Sequence, residues 1–141
     1  METLETEQAQ HYTLQISSNH ENIIKVETLL EELKEKYYIS EEYYGNMFVA
    51  LSEAVTNAIK HGNNEDQNKK VYINIEVLNG RKFTFTVADE GLGFNHATLP
   101  DPTLPENLEA MSGRGVFIIK SLADLFIYNK NGSEIEMQFR T

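Results

Sequence analysis

The chain has 141 residues, of which 40% are hydrophobic and 24% are charged, and its formal net charge is −10 at pH 7. This length and composition indicate one globular domain with a hydrophobic core and exclude an intrinsically disordered chain. The excess of 22 Asp and Glu over 12 Lys and Arg disfavours direct binding to nucleic acid, because phosphate neutralisation requires a basic face.

Other features of the sequence bear on location. The chain contains no cysteine, which excludes disulfides and thiolate metal sites. No run of about 18 apolar residues is present to span a membrane, and the acidic, polar start "METLETEQAQ" differs from a secretory signal. We therefore expect a cytoplasmic protein without membrane contact, with a flexible tail at residues 1–10 and a single domain at residues 11–141.

The first half of the chain predicts a strand followed by two helices. "HYTLQIS" alternates apolar and polar residues, as a half-buried strand does. Ser18 and Glu21 have the spacing of a capping box, and apolar residues at helical spacing follow them. A second helix is expected from near Ser40 to about His61, where Gly62 would end it.

The second half predicts two hairpins separated by a loop and a helix. "KVYINIEV" and "KFTFTV" alternate as strands around the hairpin signal Asn79-Gly80. Residues 95–112 have no clear period and contain all three prolines, and so long a loop is usually functional, often a lid. "GRGVFIIKSLAD" then opens a helix, and "LFIYNKNGSEIEMQF" makes a hairpin around Asn131-Gly132. This order predicts an α+β fold, a two-layer α/β sandwich with a mostly antiparallel sheet and helices on one face.

The second helix carries three polar residues in register on the face opposite its apolar stripe. Glu53, Asn57 and Lys60 are spaced i, i+4 and i, i+3, so their polar ends can converge. A carboxylate, an amide and an ammonium together suit magnesium-phosphate chemistry, as a base, a neutral oxygen ligand and a phosphate-binding cation. Any amphipathic helix has a polar back, so this pattern alone favours a solvated face.

The first of two glycine motifs, "DEGLGF", follows a predicted strand. Gly91 and Gly93 would allow the backbone to approach a flat ligand closely. Asp89 can accept a hydrogen bond from an exocyclic amine. Taken alone, the motif describes an ordinary turn equally well.

The second motif, "SGRGVFIIK", places Gly113 and Gly115 at the start of a predicted helix. Free amide N–H groups and the positive end of the helix dipole make such a position an anion site, to which Arg114 could add a charged fork. The motif is not a Walker A loop, because no Gly-Lys-Ser/Thr follows. Nor is it a dinucleotide fingerprint, because no βαβ unit surrounds it.

In this order the three signals resemble the ATP-binding domain shared by gyrase, Hsp90, histidine kinases and MutL, the GHKL superfamily with the Bergerat fold. "SEAVTNAIKHG" is similar to its N box, and "DEGLGF" and "GRG" are similar to its two glycine boxes. Within that group the chain resembles most the anti-sigma factor serine kinases of the RsbW and SpoIIAB type, from Tyr12 to Phe139. The main pointer to that branch is Glu53, four residues before Asn57.

The resemblance implies a role for each polar residue of the motifs. Asn57 would bind Mg²⁺ through its side-chain oxygen, and the metal would bridge the phosphates of ATP. Glu53 would be the catalytic base that accepts a proton from an attacking hydroxyl. Lys60 matches a position that often touches phosphate in the superfamily, and Asp89 would recognise the adenine amino group.

The resemblance also implies roles for the glycine boxes and the segment between them. Gly91 and Gly93 would shape the pocket around the adenine ring. Residues 95–112 would be the ATP lid. The second box would close over the phosphates with three residues: Gly113, Arg114 and Gly115.

The function that the resemblance implies is that of an anti-sigma factor. Such a protein is an ATP-dependent serine/threonine protein kinase that phosphorylates a small anti-anti-sigma (STAS-type) protein and sequesters a sigma factor, and it is expected to be a homodimer. One alternative remains open: a nucleotide-dependent binding module that captures its partner without transferring phosphate. This alternative remains because the lid segment is only loosely like that of the family.

Two further alternatives fit the sequence less well. A histidine kinase fragment would need a phosphoacceptor, but His20 lies in the first turn of a short predicted helix that belongs to the domain. An autonomous ATP hydrolase of the gyrase or Hsp90 kind would need a second domain to harness hydrolysis, and we expect only one.

Overall fold

A computed structural model describes residues 8–91, 113–129 and 133–141 of the chain. These residues form five strands: β1 Ala9–Ser17, β2 Lys70–Leu78, β3 Lys82–Ala88, β4 Leu125–Asn129 and β5 Glu134–Arg140. They also form three α-helices: α1 Ile23–Lys36, α2 Glu41–Asn57 and α3 Gly113–Leu122. A short 3₁₀ turn, His20–Asn22, precedes α1, and a π-helical turn, Ala58–Gly62, continues α2.

The strands form one sheet in the order β1-β2-β3-β5-β4, and all four pairings are antiparallel. The predicted antiparallel sheet is therefore confirmed. Alternate residues along each strand face the same side, so the register aligns apolar residues across the sheet. One such row crosses all five strands: Tyr12, Ile75, Phe85, Met137 and Phe126.

The three α-helices pack against the apolar side of this sheet. Leu30 of α1, Leu51 of α2 and Ile119 of α3 belong to the same buried cluster as the strand residues. Complete burial of each such side chain contributes about 1.5–3 kcal/mol. Because α2 contacts both α1 and α3, it is the central helix of the layer. The predicted α+β fold, a two-layer sandwich with helices on one face, is confirmed.

The hairpin between β2 and β3 has the predicted turn. Asn79 and Gly80 adopt φ values of 55° and 69°, the left-handed conformation that a type I′ turn requires at both central residues. The second hairpin also forms, because β4 pairs with β5 from Leu125 to Asn129. Its predicted turn at Asn131-Gly132 lies outside the described residues.

The predicted cap of the first helix is wrong by one residue. The side chain of Asn19, not that of Ser18, accepts the first free amide, from Glu21 at 2.9 Å. Ser18 still belongs to the sheet side of the junction, because its backbone N–H donates to Lys69 O at 3.1 Å and its Oγ donates to the same oxygen at 2.7 Å. The chain therefore enters the helical region one residue later than the capping-box pattern predicted.

The second helix begins as predicted, since the Ser40 hydroxyl accepts a hydrogen bond from the Tyr43 amide at 3.4 Å. Its end differs from a regular α-helix. Asn63 N donates to Ala58 O at 2.8 Å, an i→i−5 bond that widens the last turn into a π-helix. Such widened turns occur mostly at functional sites. Within the part of the chain that the structure describes, no helix combines the length and apolar character needed to cross a membrane.

Candidate functional site

The polar face of α2 lies against the first turn of α3. A Cβ placed on Gly115 would lie 2.7 Å from Glu53 Oε2 and 3.4 Å from Asn57 Nδ2, so a larger residue would collide with the Glu53 carboxylate. Gly115 is itself buried. The predicted polar face is therefore covered by the second glycine motif instead of facing bulk water. Glycine is required here for close approach.

The Asn57 side chain carries an unpaired polar atom. Its Nδ2 is buried and has no hydrogen-bond partner among the described residues. A buried amide group without a partner destabilises the folded state by about 1–3 kcal/mol, so such a group requires an explanation. The amide oxygen and nitrogen can exchange places by rotation, so the same position can present a neutral oxygen to a bound group.

The end of the π-helical turn lies against the turn that follows β3. A Cβ on Gly62 would overlap the Asp89 carboxylate, and a Cβ on Gly91 would overlap Gly62 O and lie 2.9 Å from Asp89 Oδ1. Gly62 was predicted as a helix stop, but the left-handed residues that end this segment are Asn64 and Glu65, with φ of 52° and 58°. Gly62 instead provides the space in which Asp89 sits.

The Asp89 carboxylate is partly buried and held from its own turn. Gly91 N donates to Asp89 Oδ1 at 2.8 Å, and Asp89 N donates to Ser133 O at 2.9 Å. Burial raises the pKa of Asp89 above its ordinary value, and the Gly91 amide and the Lys69 ammonium offset this only in part. The turn therefore presents a fixed carboxylate that is an acceptor at neutral pH.

The structure therefore brings the predicted residues together in two groups. Glu53 and Asn57 meet Gly115, and Asp89 meets Gly91, while the α2 segment from residue 53 to residue 62 joins the two groups. Sequence reasoning missed the contribution of Gly62 to the second group. Its spacing from Asp89 along the chain carries no signal for this contact.

The remaining predicted residues are less closely placed. Lys60 and His61 are exposed in the π-helical turn, where partial burial and the Lys60 ammonium lower the pKa of His61. Gly113 begins α3. The other predicted parts of the site lie outside the described residues: Gly93, the side chain of Arg114 and the lid at residues 95–112.

The chemistry of the donors was compared with that of a magnesium site. Within the described ranges no cluster of three or more histidine, aspartate or glutamate side chains could hold a metal ion. Asn57 offers one amide oxygen, with the Glu53 carboxylate beside the same glycine. Mg²⁺ commonly uses one or two protein oxygens and completes its shell with phosphate and water. These residues fit a magnesium ion that arrives with a phosphate group, and not a preformed metal cage.

Comparison with known families accounts for this geometry. The family described as the histidine kinase-like ATPase domain matches residues 16–139, which include α2, the turn after β3 and α3. The chain belongs to the histidine kinase-like ATPase domain family. The predicted membership of the GHKL superfamily is confirmed.

The chain is also similar to serine-protein kinase RsbW of Staphylococcus aureus, from strains JH9 and Newman among others. Each is 37% identical over 98 residues, a match that covers 63% of this chain and 60% of the relative. The chain therefore spans less than two thirds of the length of these curated relatives. This likeness agrees with the predicted resemblance to the RsbW type.

Proposed function

We propose that the protein binds ATP between α2, the turn after β3 and the start of α3, and transfers its γ-phosphoryl group to a serine or threonine of a partner protein. The single observation that carries this proposal is the close contact of Gly115 with Glu53 and Asn57. It brings a carboxylate, an unpaired amide and the amino-terminal turn of a helix to one place. A helix start provides free amides for phosphate oxygens, so each group has a use in phosphoryl transfer.

The residues have distinct roles in this proposal. Asp89 accepts a hydrogen bond from the adenine amino group, while Gly62 and Gly91 give the ring its space. Asn57 holds Mg²⁺ through its amide oxygen, and the bound ion supplies positive charge that neutralises phosphate oxygens. The family motif assigns phosphate contacts to four further residues: Lys60, Gly113, Arg114 and Gly115.

Glu53 is the catalytic base of the proposed reaction. Its carboxylate accepts the proton of the substrate hydroxyl as the hydroxyl oxygen attacks the γ-phosphorus, and the bond from that phosphorus to the bridging oxygen of ADP breaks. A neighbouring helix start keeps this carboxylate near the transferred group, since the Gly115 backbone lies directly against Glu53. The reaction yields ADP and a phosphoserine or phosphothreonine.

The partners follow from the family resemblance and from the name of the relatives, which are serine-protein kinases. The phosphorylated protein is a small anti-anti-sigma protein of the STAS type, and the protein sequestered in the absence of that partner is a sigma factor. The protein acts as a homodimer in the cytoplasm, where transcription is regulated. The acidic charge of −10 supports a protein partner with a basic surface more than a nucleic acid.

Phosphoryl transfer to a candidate partner tests the proposal directly. The purified protein is incubated with γ-labelled ATP, Mg²⁺ and a STAS-type protein encoded by the same genome, with the Glu53→Gln variant as control. We expect label on a serine or threonine of the partner with the wild type only. Label that stays on nucleotide despite ATP-dependent partner binding would favour the binding-module alternative, and label on His20 would favour a histidine kinase.

A further inference from the structure

Asn63 is a fully buried polar residue directly after the π-helical turn, with 0% of its surface exposed. Its Nδ2 donates to Ser18 Oγ at 2.8 Å and to Lys70 O at 2.9 Å. Its Oδ1 accepts a hydrogen bond from Glu90 N at 2.8 Å. The side-chain amide therefore has a partner for both donor hydrogens and for its acceptor oxygen, which is the arrangement that burial of an amide requires.

The three bonds of this amide connect separate parts of the site's framework. Ser18 follows β1, Lys70 begins β2 and Glu90 belongs to the turn after β3. Asn63 itself is fixed to the π-helical turn by the bond from its backbone N–H to Ala58 O. The amide thus ties the end of the α2 segment to the sheet and to the turn that carries Asp89.

The position of this turn is critical because there is no free space around it. Gly62 and Gly91 are in such close contact that neither tolerates a Cβ, and the Asp89 carboxylate lies between them. The turn is also held to the sheet by the Glu90 carboxylate, which accepts a hydrogen bond from Lys70 N at 2.5 Å. Of these contacts, the bond from Glu90 N to Asn63 is the one that holds the turn to the α2 segment through a side chain.

We propose that Asn63 is a positioning residue for adenine recognition, which holds the Asp89–Gly91 turn at a fixed distance from the α2 segment through its bond to the Glu90 amide. This inference rests on the proposed function, because it assigns Asp89 to the adenine amino group. Asn63 does not touch the nucleotide; it acts through the turn. Its loss lets Asp89 move relative to Asn57, so the adenine and phosphate contacts can no longer form together.

The test combines amide exchange with nucleotide selectivity. In the Asn63→Ala variant we expect the Glu90 amide to lose its protection from hydrogen–deuterium exchange, measured by NMR without nucleotide. We expect ATP to bind about tenfold more weakly and GTP to change by less than about threefold, since one hydrogen bond to the adenine amino group is lost. Both dissociation constants are measured by titration calorimetry with Mg²⁺ present.

The matched control is Val77→Ala, which removes a fully buried side chain from the hairpin end of β2, where Val77 pairs with Phe83. It lowers stability without touching the turn, and we expect the ratio of ATP to GTP affinity to stay at the wild-type value. If Asn63→Ala fails to fold, Ser18→Ala serves instead, because it removes only one acceptor of the Asn63 amide. We then expect faster exchange at Glu90 and a two- to threefold fall in the ratio.

The outcomes separate this inference from the proposed function. A wild type that binds ATP and prefers it, together with a folded variant whose ratio is unchanged, would overturn the positioning role and leave the proposed function standing. A wild type that binds no adenine nucleotide would overturn both. Loss of selectivity with unchanged Glu90 exchange would overturn the proposed route through the Glu90 amide.

Discussion

Gly62 lies directly against the carboxylate of Asp89, with no room for a methyl group between them. The two residues are brought together from the end of the helical segment that carries Glu53 and Asn57 and from the turn after β3. A methyl group at residue 62 therefore provides a direct probe of the proposed adenine pocket.

Gly62→Ala is expected to displace the Asp89 carboxylate, because the added Cβ overlaps it. Overpacking of this kind destabilises a protein by about 1–3 kcal/mol, and we expect ATP to bind at least about tenfold more weakly through loss of the adenine contact. Thermal unfolding and titration calorimetry measure the two effects.

The matched control for that experiment is Gly45→Ala in the same helix. A Cβ at Gly45 meets no described atom within 4 Å, and the residue is exposed. Alanine is favoured over glycine in a helix by about 0.5–1 kcal/mol, so this variant should be more stable and bind ATP normally. Normal ATP binding by Gly62→Ala would show that the carboxylate has no contact with the base.

Asn57→Ala should separate stability from binding. The variant removes a buried amide nitrogen that has no partner in the described structure, so the free energy of unfolding without nucleotide should stay the same or rise by up to about 1 kcal/mol. Binding of Mg·ATP should fall at least about a hundredfold, because the metal ligand is lost. Urea denaturation and calorimetry with and without Mg²⁺ provide the two measurements.

A clear loss of stability in the Asn57→Ala protein would mean that the amide has a structural partner. The assignment of Asn57 as a magnesium ligand would then lose its main support. Equal ATP affinity with and without Mg²⁺ in the wild type would contradict the assignment directly.

Glu53→Gln should separate binding from catalysis. Glutamine keeps the shape of glutamate beside Gly115, so ATP affinity should change less than about threefold, whereas loss of the general base should slow transfer by about 10²–10⁴-fold. Single-turnover transfer to the partner protein and equilibrium ATP binding are the measurements. Equal losses of both in this variant would argue against a role as base.

Asp89→Asn should change the pH dependence of stability. Burial raises the folded-state pKa of Asp89 above its ordinary value of 3.8, so the folded protein holds this proton to higher pH than the unfolded chain does. The contribution of Asp89 to stability is therefore present below the ordinary value and is lost as pH rises through the folded-state pKa. The variant should be more stable than the wild type at pH 7 without nucleotide.

Urea denaturation of both proteins between pH 3 and pH 7 measures this effect. The difference in the free energy of unfolding should grow in favour of Asp89→Asn as pH rises above about 4. The variant should also lose its preference for ATP over GTP, because an amide can turn its nitrogen toward the base. A stability difference that does not depend on pH would contradict the raised pKa.

Several parts of the fold could be predicted because the forces that decide them act within a few residues. Apolar alternation located β2 and β3, and the dipeptide Asn79-Gly80 located the turn between them, since few other residues adopt two successive positive φ values. Ser40 capped its helix as predicted. The cap at Ser18 could not be predicted, because that hydroxyl is used by Lys69, which is distant along the chain.

The sequence by itself determined the chemistry that is available: a carboxylate, an amide and glycines in an order typical of one family of ATPase domains. The tertiary structure alone decided which of them meet, and that Gly62 and Asn63 are parts of the site as well as the end of a helix. The physical reason is that a residue's local pattern depends on its neighbours along the chain. The space at Gly62 and the hydrogen bonds of Asn63 depend on segments that only the packing of helices on the sheet brings together.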